Sequence, residues 1–169
     1  NCLMLLYAFA SANLDTLMMH ASVIENNGEG FLFLGKSGTG KSTHSRLWIN
    51  HVLGSKLLND DNPVVRIIDG KAKVFGTPWS GKTPCYRDEE ARIKGIVKLH
   101  QAKENRIKKL PLLQAYAVVL PASSSLRWEE DIASGIHRTV EKLAEMVGCY
   151  QLGCLPDKAA AELCAAEII

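Results

Sequence analysis

Aromatic side chains are scarce, at 7% of the chain, and charge of either sign is nearly balanced, with twenty Lys and Arg against eighteen Asp and Glu for a net +2. So small an excess gives no basis for bulk nucleic-acid binding or for attraction to an anionic membrane surface. No apolar run approaches the ~18 residues that cross a bilayer. Cysteines are few and odd in number: Cys2, Cys85, Cys149, Cys154 and Cys164, with no C-x-x-C pair among them. That spacing argues against a disulfide framework or a zinc knuckle and makes a reducing cytoplasm the expected compartment. Internal repeats, low-complexity tracts and linkers rich in Pro, Gly or Ser are all lacking. What remains is 169 residues, 47% hydrophobic and 22% charged. This is a soluble globular composition, and residues 1–169 are expected to form one domain with a sizeable core.

Patterning supplies the elements. The chain opens at Asn1 rather than Met, so residues upstream are expected. The stretch Cys2–Ala10 has the length of a signal-peptide core but no basic residue before it, and reads as a buried helix at the edge of the core. Leu17–Ile24 reads as a strand that turns at Asn26–Gly30 into the continuous apolar strand Phe31–Leu34, giving a hairpin. Lys41–Leu53 reads as a helix with Leu47, Trp48, Val52 and Leu53 on its inner face and Gly54 as its stop. Lys56–Asn59 is a short strand. Val64–Ile68 and Ala72–Phe75 form a second hairpin through Asp69-Gly70. Gly76–Pro84 is a loop, Ile93–Leu99 a strand, and Leu110–Leu120 a helix entered through Pro111. Ile132, Ile136, Val140, Leu143 and Val147 make an apolar stripe along the longest helix, Trp128–Val147. Tyr150–Leu155 suits a last strand, and Asp157 caps a last helix through Ala165. Irregular alternation with hairpins predicts an α/β domain with a mixed sheet and flanking helices.

The sharpest motif is Gly35-Lys36-Ser37-Gly38-Thr39-Gly40-Lys41-Ser42, which matches G-x-x-x-x-G-K-[ST] between a strand and a helix. Each residue type has its reason. Glycines let backbone N–H groups close around phosphate oxygens, and the helix start, including Thr43, adds unpaired donors and a positive dipole end. Lys41 can bridge the outer phosphates, and Ser42 can set its hydroxyl on Mg²⁺, with Mn²⁺ an alternative ion. These residues predict a nucleotide, ATP, as ligand.

A phosphate loop needs a metal holder, and phosphoryl transfer to an alcohol needs a base. Asp60 and Asp61, after the strand Lys56–Asn59, offer two adjacent carboxylates; the bland alternative is an Asx-type turn before Pro63. His20 stands on the strand before the phosphate loop, where a lone histidine is ordinarily structural. The series Met19-His20-Ala21-Ser22, then Phe31–Ser42, then Asn59-Asp60-Asp61, resembles the nucleotide-binding core shared by HPr kinase/phosphorylase and ATP-dependent phosphoenolpyruvate carboxykinase. Both run in the order His, strand, phosphate loop, helix, Asp-Asp. The resemblance covers about residues 17–65, and more loosely the closing strand and helix near 150–164. It implies that His20 is a metal- or phosphate-side residue and that Asp60 and Asp61 are base and metal ligand, in either order. Short HPr-kinase-like proteins are the nearest in form. The N-terminal domain and glycine-rich signature usual in HPr kinases are not evident in these residues, Phe75–Arg87 standing in the signature's place. The oxaloacetate half of the carboxykinases has no room here.

The loop Gly76–Lys82 is the other candidate. Gly81 and Lys82 could present N–H groups and a cation to a terminal phosphate, with Arg87 and Arg92 within reach. Trp79 and Tyr86 are candidates to stack on adenine. Lys103, Arg106, Lys108 and Lys109 form a basic cluster, read either as a solvated face or as a docking patch for an acidic protein or peptide. His44, His51, His100 and His137 lack metal-ligand spacing and read as structural. The sequence therefore predicts an ATP-dependent phosphotransferase acting on a serine or small-molecule hydroxyl. The alternatives are a non-catalytic ATP-binding regulatory module and, with less support, a carboxykinase-type lyase. An N-K-x-D guanine motif is absent. The partners expected are a nucleotide and a protein, peptide or small-molecule acceptor, with no nucleic acid and no membrane; a homo-oligomer is compatible with the resemblance.

Overall fold

Alternation along one strand sorts two cores. Phe31 and Phe33 enter one apolar cluster, while Leu32 and Leu34 enter another on the opposite side of the sheet. The computed structural model describes every residue except Asn1, Lys82 and Arg127. Its strands are β1 (Thr16–Met18), β2 (Ala21–Asn26), β3 (Glu29–Leu34), β4 (Ser55–Asp61), β5 (Val64–Ile68), β6 (Lys71–Phe75), β7 (Glu90–Gln101), β8 (Arg106–Lys109) and β9 (Gly148–Cys154). Its helices are α1 (Cys2–Ala10), α2 (Lys41–His51), α3 (Leu112–Val119), α4 (Glu130–Met146) and α5 (Lys158–Ile168).

The strands join in one curled mixed sheet, β1-β5-β6-β7-β3-β2-β4, with β9 added to β7 and β8 added to β9. The long strand β7 organises it. Residues 90–92 pair with β6, residues 92–98 run parallel to β3, and residues 95–101 run parallel to β9. The parallel trio β3, β7 and β9 all end at the same edge, where the glycine-rich loop begins.

Helices α2 and α5 cover one face, and α3 and α4 the other. Trp48 of α2 is fully buried between Phe31 and Phe33, with ring centroids 5.1 and 5.4 Å away. Truncating such a side chain costs about 3–5 kcal/mol. On the other face the α4 stripe buries Ile136, Val140 and Leu143 against Leu32, Leu34 and Ile96. Asp157 caps α5 as expected, its Oδ1 accepting from the Ala160 N–H at 2.9 Å. No helix among the described residues is long and apolar enough to cross a membrane. All five cysteines are free thiols.

Several boundaries differ from the sequence reading. The strand expected over Leu17–Ile24 is two strands, because β1 pairs with β5 whereas β2 pairs with β3 and β4. Strand β4 continues through the acidic pair rather than stopping before it. Leu53 is 97% exposed instead of inward, since α2 ends at His51 and the chain turns away. Helix α1 lies at the edge of the core as expected, but it is not buried: Ala8 alone of its residues is, and Leu3 and Leu6 are largely exposed. The basic segment 106–109 is a strand, β8, which its charged composition concealed.

Candidate active site

The glycine-rich loop follows β3 directly and leads into α2. Gly38 and Gly40 hold φ of 80° and 109°, left-handed values that favour glycine, and α2 starts without a side-chain cap. Its first N–H groups are therefore open to an anion.

The strand break at His20 is what makes the site. Where the chain leaves the β1 ladder, the Met19 N–H donates to the Pro63 carbonyl and the His20 N–H to the Ala122 carbonyl at 2.7 Å. This fixes the imidazole between loop and sheet. Lys41 Nζ donates to His20 Nε2 at 2.8 Å and to the Gly35 carbonyl at 3.0 Å. His20 Nδ1 lies 3.0 Å from Asp61 Oδ1. Since Nε2 accepts, the proton sits on Nδ1 and points at the carboxylate. Burial, then the neighbouring Lys41 charge, holds the imidazole below its ordinary pKa, with Asp61 and Asp60 opposing. Burial likewise lowers Lys41.

A bulge aims the first carboxylate. Val23 pairs with Asn59 and Ile24 with Leu57, so Leu58 is the extra residue. Leu57 and Asp60 consequently both face α2, although three positions apart. Asp60 is 3% exposed and accepts from the Ser42 hydroxyl at 3.0 and 3.2 Å through its two oxygens. Ser22 and Ser45 share a 2.7 Å hydrogen bond beside it, locking β2 to α2. Asp61 has φ 138°, outside the comfortable range of an L residue, at a cost of roughly 1–3 kcal/mol.

The loop after β6 closes over this pair. Ser80 bridges to Asp61, and the Gly81 N–H donates to the Asp60 carbonyl. Buried Thr77 ties the loop to Asn59 at 3.0 Å and to the Asn62 carbonyl at 2.8 Å. A Cβ on Gly81 would stand 2.9 Å from the Asp60 carbonyl oxygen, so only glycine permits this approach. His20, Lys41, Ser42, Thr43, Asp60, Asp61 and Gly81 line one cavity of about 610 Å³ together with Ser37, Gly38 and Gly40. Gly35, Lys36 and Thr39 complete the loop, and Lys36 and Thr39 line a neighbouring recess. Lys82, the other candidate cation, lies outside the described residues.

Other expectations are corrected. Arg87 pairs with Glu89 at 3.3 Å on the surface, and Arg92 lines a separate recess with Gly70 and Lys71. Neither lines the cavity beneath the glycine-rich loop: Arg92 stands at the start of β7, and Arg87 lies in the segment before it. Trp79 packs on Tyr7 of α1, ring centroids 6.0 Å apart, and Tyr86 is exposed and lines none of the cavities described here. The sequence reading missed Arg46, which lines the same cavity from the second turn of α2. Its signal was the four-residue spacing from Ser42, which puts both on one helical face. It also missed the cavity of about 430 Å³ on the other side of Gly38–Thr43, walled by Leu47, Leu155 and Pro156, with Gln101 at its rim.

Architecture and loop together define an α/β fold of the HPr kinase type. No protein-family model matches the chain, and no curated protein matches it significantly. Among solved structures, the HPr(Ser) kinase/phosphatase from Coxiella burnetii matches it with a TM-score of 0.51 at 12% identity, over 88% of this chain and 86% of that one. At that identity the likeness speaks for the fold.

Proposed function

We propose that the chain is an ATP-dependent phosphotransferase that moves the γ-phosphate of ATP to a serine side chain or a small alcohol. The observation that carries the reading is the meeting of Lys41, Ser42, Asp60, Asp61, His20 and Arg46 on one cavity beneath the glycine-rich loop. The loop amides and the α2 N-terminus receive the phosphates. The adenine lies against Leu47 and Leu155 in the neighbouring cavity.

Ser42 and Asp60 form an all-oxygen donor pair, and among the described residues the buried Asp60 carboxylate accepts a side-chain hydrogen bond from that hydroxyl alone. This suits a hard cation completed by phosphate and water oxygens, Mg²⁺ or Mn²⁺. When bound, the ion neutralises charge on the outer phosphate oxygens. Asp61 takes the proton from the acceptor hydroxyl as its oxygen bonds to the γ-phosphorus; the bond to the bridging oxygen breaks, and ADP leaves. His20 orients Asp61 through its Nδ1–H. Lys41, held by His20 and Gly35 in this structure, exchanges those acceptors for phosphate oxygens, and Arg46 adds a second cation.

The test compares wild type with Asp60→Asn and Asp61→Asn, measuring ATP binding by calorimetry with and without Mg²⁺ and transfer from labelled ATP. Asp60→Asn should abolish the Mg²⁺ dependence of binding. Asp61→Asn should keep it and lose transfer by about 100-fold or more. Full transfer activity in both variants would overturn the reading. Tight ATP binding without transfer to any hydroxyl would favour a regulatory module instead.

A further inference from the structure

The lysines fall into two sets. Lys56, Lys73, Lys94, Lys142 and Lys158 each form an ion pair with a carboxylate. Of those that form none among the described residues, Lys41 stands in the site and Lys71 on β6, while Lys36, Lys98, Lys103, Lys108 and Lys109 gather at one corner of the sheet beside the glycine-rich loop.

Register shows how that corner is built. Lys98 of β7 and Lys108 of β8 both stand opposite Gln151 of β9, one row across three strands. His100 and Arg106 both stand opposite Gly153, the next row on the same face. The row between them, Leu99, Leu152 and Ile107, points the other way, into the core under α2 and α5. So Lys98, His100, Arg106 and Lys108 share the opposite face, beyond the reach of α3 and α4. Gly153 lets the His100 ring lie across β9: a Cβ there would stand 2.8 Å from that ring. Lys36 and Lys98 both line the recess of about 450 Å³ that adjoins this face, against Ser37 and Gly38. Among the described residues the one acid paired on this face is Glu104, on Arg106 at 3.0 Å, both well exposed. Strand β8 pairs only with β9, so its outer edge meets no described strand.

We propose that this basic face docks an acidic peptide segment and leads it toward the glycine-rich loop. Uncompensated cations attract acidic side chains, and the free β8 edge can pair with an extended peptide backbone. A nucleic acid fits less well, since the charge covers only two short rows on a chain of net +2. The inference rests on the phosphotransfer reading only in making this partner the acceptor.

Fluorescence anisotropy tests it, using the full chain at low salt and a fluorescein-labelled polyglutamate peptide carrying serines. Wild type should bind, with affinity falling as salt rises. The double variant Arg106→Glu/Lys108→Glu should bind about tenfold more weakly or worse. Lys71→Glu, a reversal of a lysine outside this corner, should stay within about twofold of wild type. The proposal is overturned if wild type does not bind the peptide, if Lys71→Glu weakens binding as much as the double variant, or if a labelled oligothymidylate binds as tightly and with the same losses. ATP binding is measured alongside. Its absence in wild type would overturn the phosphotransfer reading and leave the docking result standing.

Discussion

The ammonium of Lys41 donates to Nε2 of His20 at 2.8 Å, while the other ring nitrogen faces Asp61 at 3.0 Å. One imidazole thus sets the position of a cation and of a carboxylate, one at each ring nitrogen. His20→Ala should free both. Transfer should fall by about 100-fold, with ATP affinity changing much less, because the loop amides are untouched. His20→Gln can still accept from Lys41 and donate to Asp61, so it should recover part of the loss. Steady-state kinetics on the two variants checks this. Equal losses in kcat and in ATP binding for both would make His20 a structural residue.

Arg46 reaches the cavity from the helical turn after Ser42 and also lines a small recess with Asp60 and Thr83. A cation there matters most when negative charge spreads over the transferring group. Arg46→Ala should therefore lower kcat by about tenfold to 100-fold with a smaller effect on KM for ATP. Arg46→Lys should restore part of it. Loss confined to KM would mean that Arg46 binds ground-state nucleotide only.

The sequence displays the loop clearly because its constraints are local: glycines at positive φ, a strand before and a helix after. His20, Asp60 and Asp61 were visible as residue types, and their order pointed to one site. Their aim was not visible. Asp60 faces α2 only because Leu58 is bulged, and a bulge is set by cross-strand register, which a single strand does not encode. The fate of Arg87, Arg92 and Trp79 was equally non-local, since it depends on where β6 and β7 lie in the sheet. β8 was hidden for another reason. Four residues, three of them basic, read as a solvated face or a docking patch until β9 supplies a partner and Ile107 a core to enter.

Gly81 approaches the acidic pair closely enough that a methyl group would meet the Asp60 carbonyl oxygen at 2.9 Å and the Asp61 Cβ at 3.0 Å. Backbone and Cβ atoms cannot swing aside as a side-chain tip can. Gly81→Ala should lift the loop from β4 and lower transfer by about tenfold or more through misplacement alone. The loop is at the surface, so the unfolding free energy should change by less than about 1 kcal/mol. Thermal unfolding and kinetics on the same sample separate the two effects; unchanged transfer would show that the loop's contact with β4 is dispensable.

His44 tests the packing behind the site. It is 3% exposed, accepts from the Trp48 Nε1–H at 3.1 Å, and meets Phe33 edge-on at 4.7 Å, while its Nδ1 has no partner among the described residues. Burial pushes its pKa down to about 4 from 6.5. Above pH 6.5 the ring is neutral both folded and unfolded and adds no pH dependence. As pH falls below 6.5 the unfolded chain takes the proton first, so stability is lost down to about pH 4, by about 3 kcal/mol in all. His44→Gln keeps an acceptor for Trp48 and removes the titration, at the expense of the Phe33 contact. At pH 7.5 the variant should be the less stable, by about 1–2 kcal/mol. At pH 5, without added metal, the gap should narrow, because only wild type carries the penalty. Urea unfolding at the two pH values measures it, and a gap that stays constant would show that His44 does not set the acid response.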